Sequence, residues 1–465
     1  MNFKKFFSII LITIFVQSFS KKIIFPFKTK TYPFDPEKEF KYILKNEIYT
    51  TLNVGTPSQK VELYLTTRTP FFIIKKNETF ENYFKSDASS TYVPHNENNT
   101  FYLSDEVLKH GIHSSEKIYL QNSFEEQSLS QIDNLDFIYC TQYKKDSKYH
   151  QGILGLQYFS TYYVYPREIN IMVLLKKRGL TSNYVWNLNY TSDDSGYLVI
   201  GEYPHTYDEK NYNKENMKQI NVHREGIQKV VWNLYFNDIK YGSKDISGRK
   251  TGQFSPQYGV ILGPDVFDNF IRKEFFDPLV ESKKCERKSH NGRYDYYVCD
   301  ENLDISNFKN IEFNEKDLSS KKFILTKDDL FVKKNGKLYF LIAFRDHWKY
   351  RYLWHLGKPF MKKYNFAFDE DGNQIIYYEK EENNIIENKN FLIFLWVGIA
   401  VLLIIIEVLA FVLFKFVKKR KKKMFELDDE FEYTSGDKNS ENNDTSDNNK
   451  AFKFEGEEGE NKFGI

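Results

Sequence analysis

Short hydrophobic stretches alternate along the chain with polar segments that contain glycine, proline, asparagine and aspartate. The hydrophobic stretches are rich in isoleucine, valine, tyrosine and phenylalanine, which favour half-buried strands. The strands that this pattern predicts most clearly are Ile48 to Val54, Val61 to Leu65, Phe71 to Ile74, Ile138 to Cys140, Tyr197 to Ile200 and Val230 to Phe236. Helical patterns are fewer, and the clearest are Glu168 to Lys177, Pro264 to Lys273 and Lys327 to Phe331. The predicted fold class is mainly β with short connecting helices.

The first 20 residues have the layout of a secretory signal peptide. Lys4 and Lys5 precede an apolar stretch from Phe6 to Val16, and Ser18-Phe19-Ser20 places small residues at the minus-three and minus-one positions. The alternative is a short buried N-terminal helix. The three features together favour a signal peptide over residues 1–20, with cleavage near Ser20.

A second apolar segment, Phe391 to Phe414, is long enough for a transmembrane helix. At about 1.5 Å per residue, its roughly 24 residues span the ~30 Å of a bilayer core. A basic cluster at 418–423 follows, and the positive-inside rule places such a cluster in the cytoplasm. We therefore expect a single-pass type I membrane protein of the secretory pathway, at the cell surface or in an endolysosomal membrane. Glu407 interrupts the segment, and it is either protonated or faces a second helix.

Composition and charge narrow the classes of function. The chain has 465 residues with 66 basic and 64 acidic side chains, a formal net charge of +2. This balance argues against nucleic acid as the main partner. Hydrophobic residues at 41% and aromatic residues at 17% provide a large core, which excludes global disorder and a fibrous repeat. Residues 415–465 are basic and then acidic and polar, so we expect a stop-transfer segment and a disordered cytoplasmic tail.

Covalent modification is predicted at two kinds of residue. Cys285 and Cys299 close a loop of about 15 residues, and in an oxidising compartment their disulfide would contribute on the order of 3 kcal/mol. Cys140 lies among hydrophobic residues, which favours a buried, inert thiol. Three sequons lie in polar stretches typical of surface loops, and their acceptor residues are Asn77, Asn98 and Asn189.

Several motifs together resemble the pepsin-like aspartic proteases. The stretch from Glu47 to Val61, with Asn53-Val54-Gly55-Thr56-Pro57 at its centre, is similar to the opening of that family. Further motifs that resemble the family, in the family's order, are Phe84 to Tyr92, Gln151 to Leu156, Ser195 to Glu202, Trp232, Leu262-Gly263-Pro264, the pair Cys285 and Cys299, Leu356 to Tyr364, and Phe368-Asp369. The resemblance covers roughly residues 40 to 380.

The resemblance implies two β-rich lobes around a cleft for an extended peptide. Each lobe of a family member donates one aspartate. The two carboxylates lie about 3 Å apart and share a proton, so that one activates water while the other protonates the substrate carbonyl. Counting from Gly55 and from Gly263-Pro264 places the two aspartates at Thr66 and Ser255, so neither acid is present. We therefore expect no catalytic residue to be intact and no acid-protease turnover.

The rest of the expected cleft floor has also changed. It comprises Thr67, Arg68, Thr69, Pro256, Gln257 and Tyr258. Arg68 and Gln257 replace the glycines that let each loop turn tightly. Pro256 lacks both a backbone N–H and the hydroxyl that joins the loops in the family, whereas Thr67 keeps its hydroxyl. Arg68 either points into the cleft and favours acidic ligands, or pairs with a local acid.

The resemblance and the patterns together predict the following division of the chain. The parts are a signal peptide at 1–20, an N-terminal segment at 21–45, an N-terminal lobe at 46–200, a C-terminal lobe at 201–380, a transmembrane helix at 391–414, and a basic and acidic tail at 415–465. The function expected is a catalytically inactive pseudoprotease that binds peptide or protein in its cleft at a membrane. The alternatives are an active endopeptidase with unconventional acids, and a surface or adhesion protein with an unused cleft.

Other candidate sites are weaker. His95, His110 and His113 lie close in sequence but lack the accompanying ligands of a metal site, so we interpret them as solvated loop histidines and expect no metal or cofactor. Asp369 to Asn373 resembles part of a calcium loop and is interpreted as a hairpin turn. No Gly-x-Ser-x-Gly motif is present. Tyr102 lies nearest to the position of the family's flap tyrosine and is not assigned to it.

Overall fold

The structure is a computed structural model, and it describes residues 21–30, 38–76, 83–102, 107–124, 129–143, 151–157, 169–222, 231–246, 248, 250–316, 322–345, 353–379 and 385–431. The chain divides into two compact units, Met1–Glu381 and Glu382–Ile465. The predicted signal peptide at 1–20, the sequon residue Asn77 and the tail beyond residue 431 lie outside the described residues.

Strands dominate the first unit, which confirms the mainly β prediction. In chain order the described strands are β1 (Ile23–Thr29), β2 (Ile48–Val54), β3 (Gln59–Thr66), β4 (Phe72–Lys75), β5 (Val93–Tyr102), β6 (Val107–Gln121), β7 (Leu129–Tyr143), β8 (Gly152–Gly155), β9 (Val185–Tyr190), β10 (Ser195–Ile200), β11 (Met217–Asn221), β12 (Asn233–Tyr241) and β13 (Lys244–Asp245). They continue with β14 (Thr251–Phe254), β15 (Ile261–Gly263), β16 (Cys285–His290), β17 (Tyr294–Asp300), β18 (Ile311–Glu315), β19 (Lys322–Leu325), β20 (Phe331–Lys334), β21 (Lys337–Phe340), β22 (Ile342–Arg345), β23 (Trp354–Leu356), β24 (Ala367–Asp369) and β25 (Gln374–Tyr378).

Short helices connect these strands. They are α1 (Glu39–Leu44), α2 (Ile171–Lys177), α3 (Pro204–Tyr207), α4 (Asp265–Ile271), α5 (Asp277–Glu281), α6 (Lys327–Leu330) and α7 (Lys358–Tyr364). A π-helical segment, Arg272–Phe276, joins α4 to α5. Asn170 caps α2 because its side chain accepts hydrogen bonds from the backbone N–H groups of Met172 and Val173. The three predicted helices are therefore present, with their ends shifted by up to three residues.

The strands form two large sheets. The first has the order β11-β25-β24-β9-β10-β1-β2-β3-β8-β4-β7-β6-β5, and the second has the order β19-β18-β12-β14-β23-β15-β22-β17-β21-β20. Strand β1 pairs with β10 and β2, whereas β24 pairs with β9 in the same sheet. The first sheet therefore joins strands from both ends of the unit.

A cluster of aromatic rings forms the core where the two sheets meet. The ring of Trp186 stacks on Phe368 with their centroids 4.1 Å apart, and Trp232 lies 5.2 Å from Phe368. Phe254 packs edge-on against Phe368 at 5.0 Å. Such pairs contribute roughly 0.5–1.5 kcal/mol each beyond their buried area. Because Phe254 immediately precedes Ser255, this cluster fixes the chain at the start of the second predicted active-site loop.

Several local predictions are confirmed. Cys285 and Cys299 form a disulfide between β16 and β17, and Cys140 is a buried free thiol in β7. Asp369 to Asn373 joins β24 to β25 as a hairpin. The expectation of surface loops is wrong for Asn189, which lies in β9, partly exposed and paired with Tyr197. Asn189 belongs to the alternating apolar and polar residues of β9, and the polar sequon Asn189-Tyr190-Thr191 made this segment resemble a loop.

The second unit contains one long helix, α8 (Ile385–Phe431). Its segment Gly398–Arg420 has a mean hydropathy of 2.8, and among the described helices it alone is long and apolar enough to cross a membrane. This segment overlaps the predicted span at 391–414, so a C-terminal apolar helix compatible with an anchor is confirmed. The helix continues through the basic cluster as far as Phe431.

Candidate functional site

Two loops occupy equivalent places in the two sheets. In the first sheet β3 is parallel to β8, β8 is antiparallel to β4, and β4 is parallel to β7. In the second sheet β14 is parallel to β23, β23 is antiparallel to β15, and β15 is parallel to β22. The first loop (66–71) leads from the end of β3 to β4, and the second loop (255–260) leads from β14 to β15. The two loops have the same strand neighbours, and Thr66 pairs with Gly155 just as the residue before Ser255 pairs with the residue before Gly357, so Thr66 and Ser255 are counterparts.

A glycine beside each loop supports this equivalence. Gly155 is paired with Thr66 across β3 and β8, and Gly357 follows Leu356, which pairs with Phe254. A Cβ atom on Gly155 would lie 2.3 Å from the carbonyl oxygen of Thr69, and one on Gly357 would lie 2.0 Å from that of Val260. Each neighbouring strand therefore approaches its loop more closely than a side chain would allow.

Thr66 and Ser255 are both buried at the starts of their loops, with 4% and 0% of their surface exposed. The Thr66 carbonyl accepts a hydrogen bond from the backbone N–H of Leu156 at 2.7 Å, and the Ser255 N–H donates to the carbonyl of Leu356 at 3.0 Å. Trp232 donates from Nε1 to the carbonyl of Leu156 at 3.2 Å. The backbone contacts that hold these positions therefore continue into the aromatic core.

Ser255 contacts a histidine that the sequence did not single out. Its Oγ atom lies 3.2 Å from Nδ1 of His355 in β23. Burial lowers the pKa of His355 to about 3, and the positive charges of Arg345 and Arg68 act in the same direction. A histidine beside a serine can activate a nucleophile. Ser255 has no exposed surface, so its hydroxyl is not available to a substrate as a nucleophile. The contact instead gives the buried Ser255 Oγ and His355 Nδ1 a hydrogen-bond partner.

Arg68 connects the two loops. Its backbone N–H donates to Thr66 Oγ1 at 3.2 Å, and its side-chain Nη2 donates to the hydroxyl of Tyr258 at 2.9 Å. The guanidinium carbon also lies 5.5 Å from the centre of the Tyr258 ring. Arg68 is partly exposed, whereas Tyr258 is buried. Neither Arg68 nor Gln257 is among the residues with positive φ, so both loops use backbone conformations open to residues with side chains.

Asn46, in the segment before β2, makes hydrogen bonds to the second loop. The side-chain Nδ2 of Asn46 donates to the carbonyl of Pro256 at 2.7 Å and to the hydroxyl of Tyr190 at 3.1 Å. The backbone N–H of Asn46 donates to the carbonyl of Gln257 at 2.9 Å. Asn46 gave no signal in the sequence, because its partners lie at least 144 residues away.

The remaining predicted floor residues are buried. Thr67 and Thr69 are 5% and 3% exposed, and Pro256 is buried beside Ser255. Gln257 is 7% exposed, and its Oε1 atom has no hydrogen-bond partner within the described part of the chain. The expected floor residues therefore do lie on the two paired loops, and Arg68 is the one with a partly exposed side chain.

The histidine interpretation needs a correction. His95 and His113 lie in strands β5 and β6, not in loops, and both approach Asp136 of β7, with Nε2 to Oδ1 distances of 3.7 and 3.5 Å. Adjacent antiparallel strands bring alternate side chains to one face, which explains the grouping. Among the described residues, no group of three or more histidine, cysteine, aspartate or glutamate side chains could hold a metal ion.

Three predicted residues fall outside the description. The side chains of Asn98, Tyr102 and His110 are not among those described, although all three belong to strands β5 or β6. The segment 103–106, which follows Tyr102, is also outside the described residues.

Comparison with known proteins agrees with the geometry. The family model described as Asp: Eukaryotic aspartyl protease matches residues 47–378. The match begins one residue before β2 and ends at the last residue of β25, so it contains both loops. No curated protein matches the chain.

Proposed function

The chain belongs to the eukaryotic aspartyl protease family, and on that premise we propose that it is a catalytically inactive member whose cleft binds peptide or protein ligands at a membrane surface. The observation that carries the proposal is the position of Thr66 and Ser255. They are counterparts on equivalent loops, and counting from the family motifs in the sequence puts the aspartates of family members at these two positions.

The chemistry of these side chains supports inactivity. A carboxylate pair that shares one proton supplies both a base for water and an acid for the carbonyl oxygen. The hydroxyls of Thr66 and Ser255 can hold a water molecule but cannot accept its proton at acid pH. The imidazole nearest to Ser255 has a pKa lowered to about 3 by burial, so it carries no charge near neutrality.

Peptide binding does not require the missing acids. An extended chain binds along a sheet edge or cleft through main-chain hydrogen bonds, and its side chains fill pockets. The family scaffold around the loops is intact, since the glycine contacts, the aromatic core and the paired strands are all present. The loss of the two acids therefore need not remove peptide binding.

We place the binding body outside the cell or in an endolysosomal lumen. The predicted signal peptide at 1–20, the apolar segment within α8 and the basic cluster at 418–423 together favour a single-pass type I arrangement. The disulfide between Cys285 and Cys299 suits an oxidising compartment.

One experiment tests both parts of the proposal. The full chain in detergent micelles is assayed at acid pH with quenched peptide libraries, with and without pepstatin, and the same peptides are used in a binding titration. We expect saturable binding without cleavage. Pepstatin-sensitive cleavage would refute inactivity, and the absence of saturable binding would refute the binding function.

A further inference from the structure

The C-terminal end of the apolar segment within α8 carries a dense group of basic residues. The apolar surface of the helix extends to Val417, which is 54% exposed. Lys418, Lys419 and Arg420 follow directly, and all three are exposed. Three further lysines complete the basic cluster at 418–423, and α8 continues through it. A bilayer that surrounds the apolar segment would therefore meet six successive basic residues at its boundary.

The first three cations of the basic cluster are not neutralised by the described part of the chain. No side chain of Lys418, Lys419 or Arg420 forms an ion pair with another described residue. The nearest acidic residues along α8 are Glu407 and Glu426. An α-helix completes a turn every 3.6 residues, so both acids are more than one turn away from all three cations. The positive charge is therefore available to a partner outside the chain.

These cations surround the helix. Successive residues of an α-helix are about 100° apart around its axis, so Lys418, Lys419 and Arg420 lie on three different sides. No direction around the axis is more than about 80° from one of them. A protein that packs along one side of α8 would contact some of these charges and leave the others in water. The headgroups of a bilayer, in contrast, lie on all sides of a spanning helix.

The length of the basic cluster also suits a layer of headgroups. At about 1.5 Å per residue, positions 418–423 cover about 9 Å along α8. The headgroup region on each side of a hydrocarbon core is roughly 5–8 Å thick. A cluster that begins where the apolar surface ends therefore extends through the layer that holds the lipid phosphates. Groups of roughly four to eight basic residues in this position attract the anionic lipids of the cytoplasmic leaflet.

We propose that the basic cluster gathers a shell of anionic lipids around α8 on the cytoplasmic side of the membrane. This inference rests on the proposed single-pass arrangement and adds the lipid chemistry that the anchor selects. The phosphate and carboxylate of phosphatidylserine accept charge-assisted hydrogen bonds from lysine and arginine, whereas phosphatidylcholine brings its own cation to the same place. The shell contains several lipids, because one headgroup cannot contact all sides of the helix.

The test measures which lipids contact the full chain after reconstitution in phosphatidylcholine vesicles. The vesicles contain a trace of spin-labelled phosphatidylserine or of spin-labelled phosphatidylcholine, and the motionally restricted fraction of the label reports the lipid held at the protein. We expect phosphatidylserine to bind about fivefold more strongly than phosphatidylcholine at low salt, and the preference to shrink as salt rises. Glycerophosphoserine, which is the headgroup without acyl chains, should not displace the labelled lipid, because nothing holds it at the bilayer surface.

A triple variant locates the effect in the basic cluster. Lys418→Gln, Lys419→Gln and Arg420→Gln together should lower the preference for phosphatidylserine to about twofold. The lysines at 421–423 remain and favour the same orientation in the membrane. The matched control removes three exposed lysines around the turn between β20 and β21 and should keep the full preference; its substitutions are Lys333→Gln, Lys334→Gln and Lys337→Gln.

The possible failures are distinguishable. Release of the chain from the vesicles by alkaline carbonate would show that α8 does not span the bilayer, and it would overturn both the single-pass arrangement and this inference. If the chain stays inserted, equal binding of the two lipids would overturn this inference alone. A preference that the triple variant retains in full, or displacement of the labelled lipid by glycerophosphoserine, would also overturn it and leave the single-pass arrangement standing.

Discussion

The Oγ atom of Ser255 lies 3.2 Å from Nδ1 of His355, and both side chains are buried. The start of the second loop therefore faces a neutral imidazole from the neighbouring strand. Burial lowers the pKa of His355 to about 3, with smaller contributions from Arg345 and Arg68. The Tyr258 ring covers the imidazole edge-on, with the centroids 5.9 Å apart. The site is thus built around a histidine that must stay uncharged.

This arrangement predicts that acid destabilises the fold. His355 has a pKa of 6.5 in the unfolded chain and about 3 in the folded chain, so the unfolded state binds the proton more readily between those values. The stabilisation is complete above pH 6.5 and is lost as the pH falls towards 3. We expect a loss on the order of a few kcal/mol, measured as the free energy of unfolding at a series of pH values.

A His355→Gln variant provides the direct check. Glutamine cannot titrate, so this variant should lose stability less steeply between pH 6.5 and 3 than the unaltered chain. Its matched control is His95→Gln, at a partly exposed position of β5. Parallel stability curves for the unaltered chain and the His355→Gln variant would contradict the prediction.

The buried disulfide between Cys285 and Cys299 should contribute measurably to stability. The two cysteines are 14 residues apart in the sequence, and their bond restricts the unfolded chain. Replacing both with serine removes this restriction, so we expect the free energy of unfolding to fall by about 2–4 kcal/mol. Denaturant unfolding with and without a thiol reductant measures this. Cys140→Ala serves as the control, because a buried free thiol should cost packing energy but leave the reductant effect intact. An unaltered chain insensitive to complete reduction would contradict this expectation.

Much of the fold was open to prediction because its signals are local. Strand β2 has the bounds that alternation predicted, and the disulfide follows from two cysteines in adjacent strands. The sequence predicted only the three residues Ile138 to Cys140 of the long strand β7 (Leu129–Tyr143). The reason is that polar residues at its other positions interrupt the hydrophobic pattern. Strand β1 went unpredicted: it contains Pro26, and its place between β10 and β2 depends on partners distant in sequence.

The close approach of Gly357 to the second loop predicts that a side chain at this position will destabilise the fold. Alanine at position 357 would place Cβ 2.0 Å from the carbonyl oxygen of Val260, so backbone must move. We expect Gly357→Ala to lower the free energy of unfolding of the first unit by at least about 1–3 kcal/mol. Gly398→Ala is the control, because nothing lies within 4 Å of its Cβ position. A Gly357→Ala variant as stable as the control would show that the close approach is not needed.

As with the fold, the parts of the candidate site that depend on local motifs could be predicted from the sequence, and the parts that depend on distant contacts could not. Counting from neighbouring motifs predicts Thr66 and Ser255 as the two aspartate positions, and the strand pairing shows that these two residues are counterparts in the two sheets. His355, Asn46 and Arg345 were missed, since each contributes through contacts with residues far along the chain. Sequence reasoning left open whether Arg68 faces the cleft or pairs locally. The structure places its side chain on Tyr258 of the opposite loop.

Restoring the two acids alone should not restore catalysis. In a Thr66→Asp, Ser255→Asp double variant, both carboxylates would be buried. Arg68 lies beside Thr66, and the positive charges of Arg68 and Arg345 already act on His355 next to Ser255. A nearby guanidinium lowers the pKa of a carboxylic acid by about 1–3 units. The dyad needs one shared proton, which these cations would help to expel. We therefore expect no pepstatin-sensitive cleavage of quenched peptides at acid pH. Thermal unfolding checks that the variant is folded, and an active pepsin-like protease checks the assay. Cleavage by the folded double variant would mean that the loss of the two carboxylates is the whole difference between this chain and its catalytic relatives.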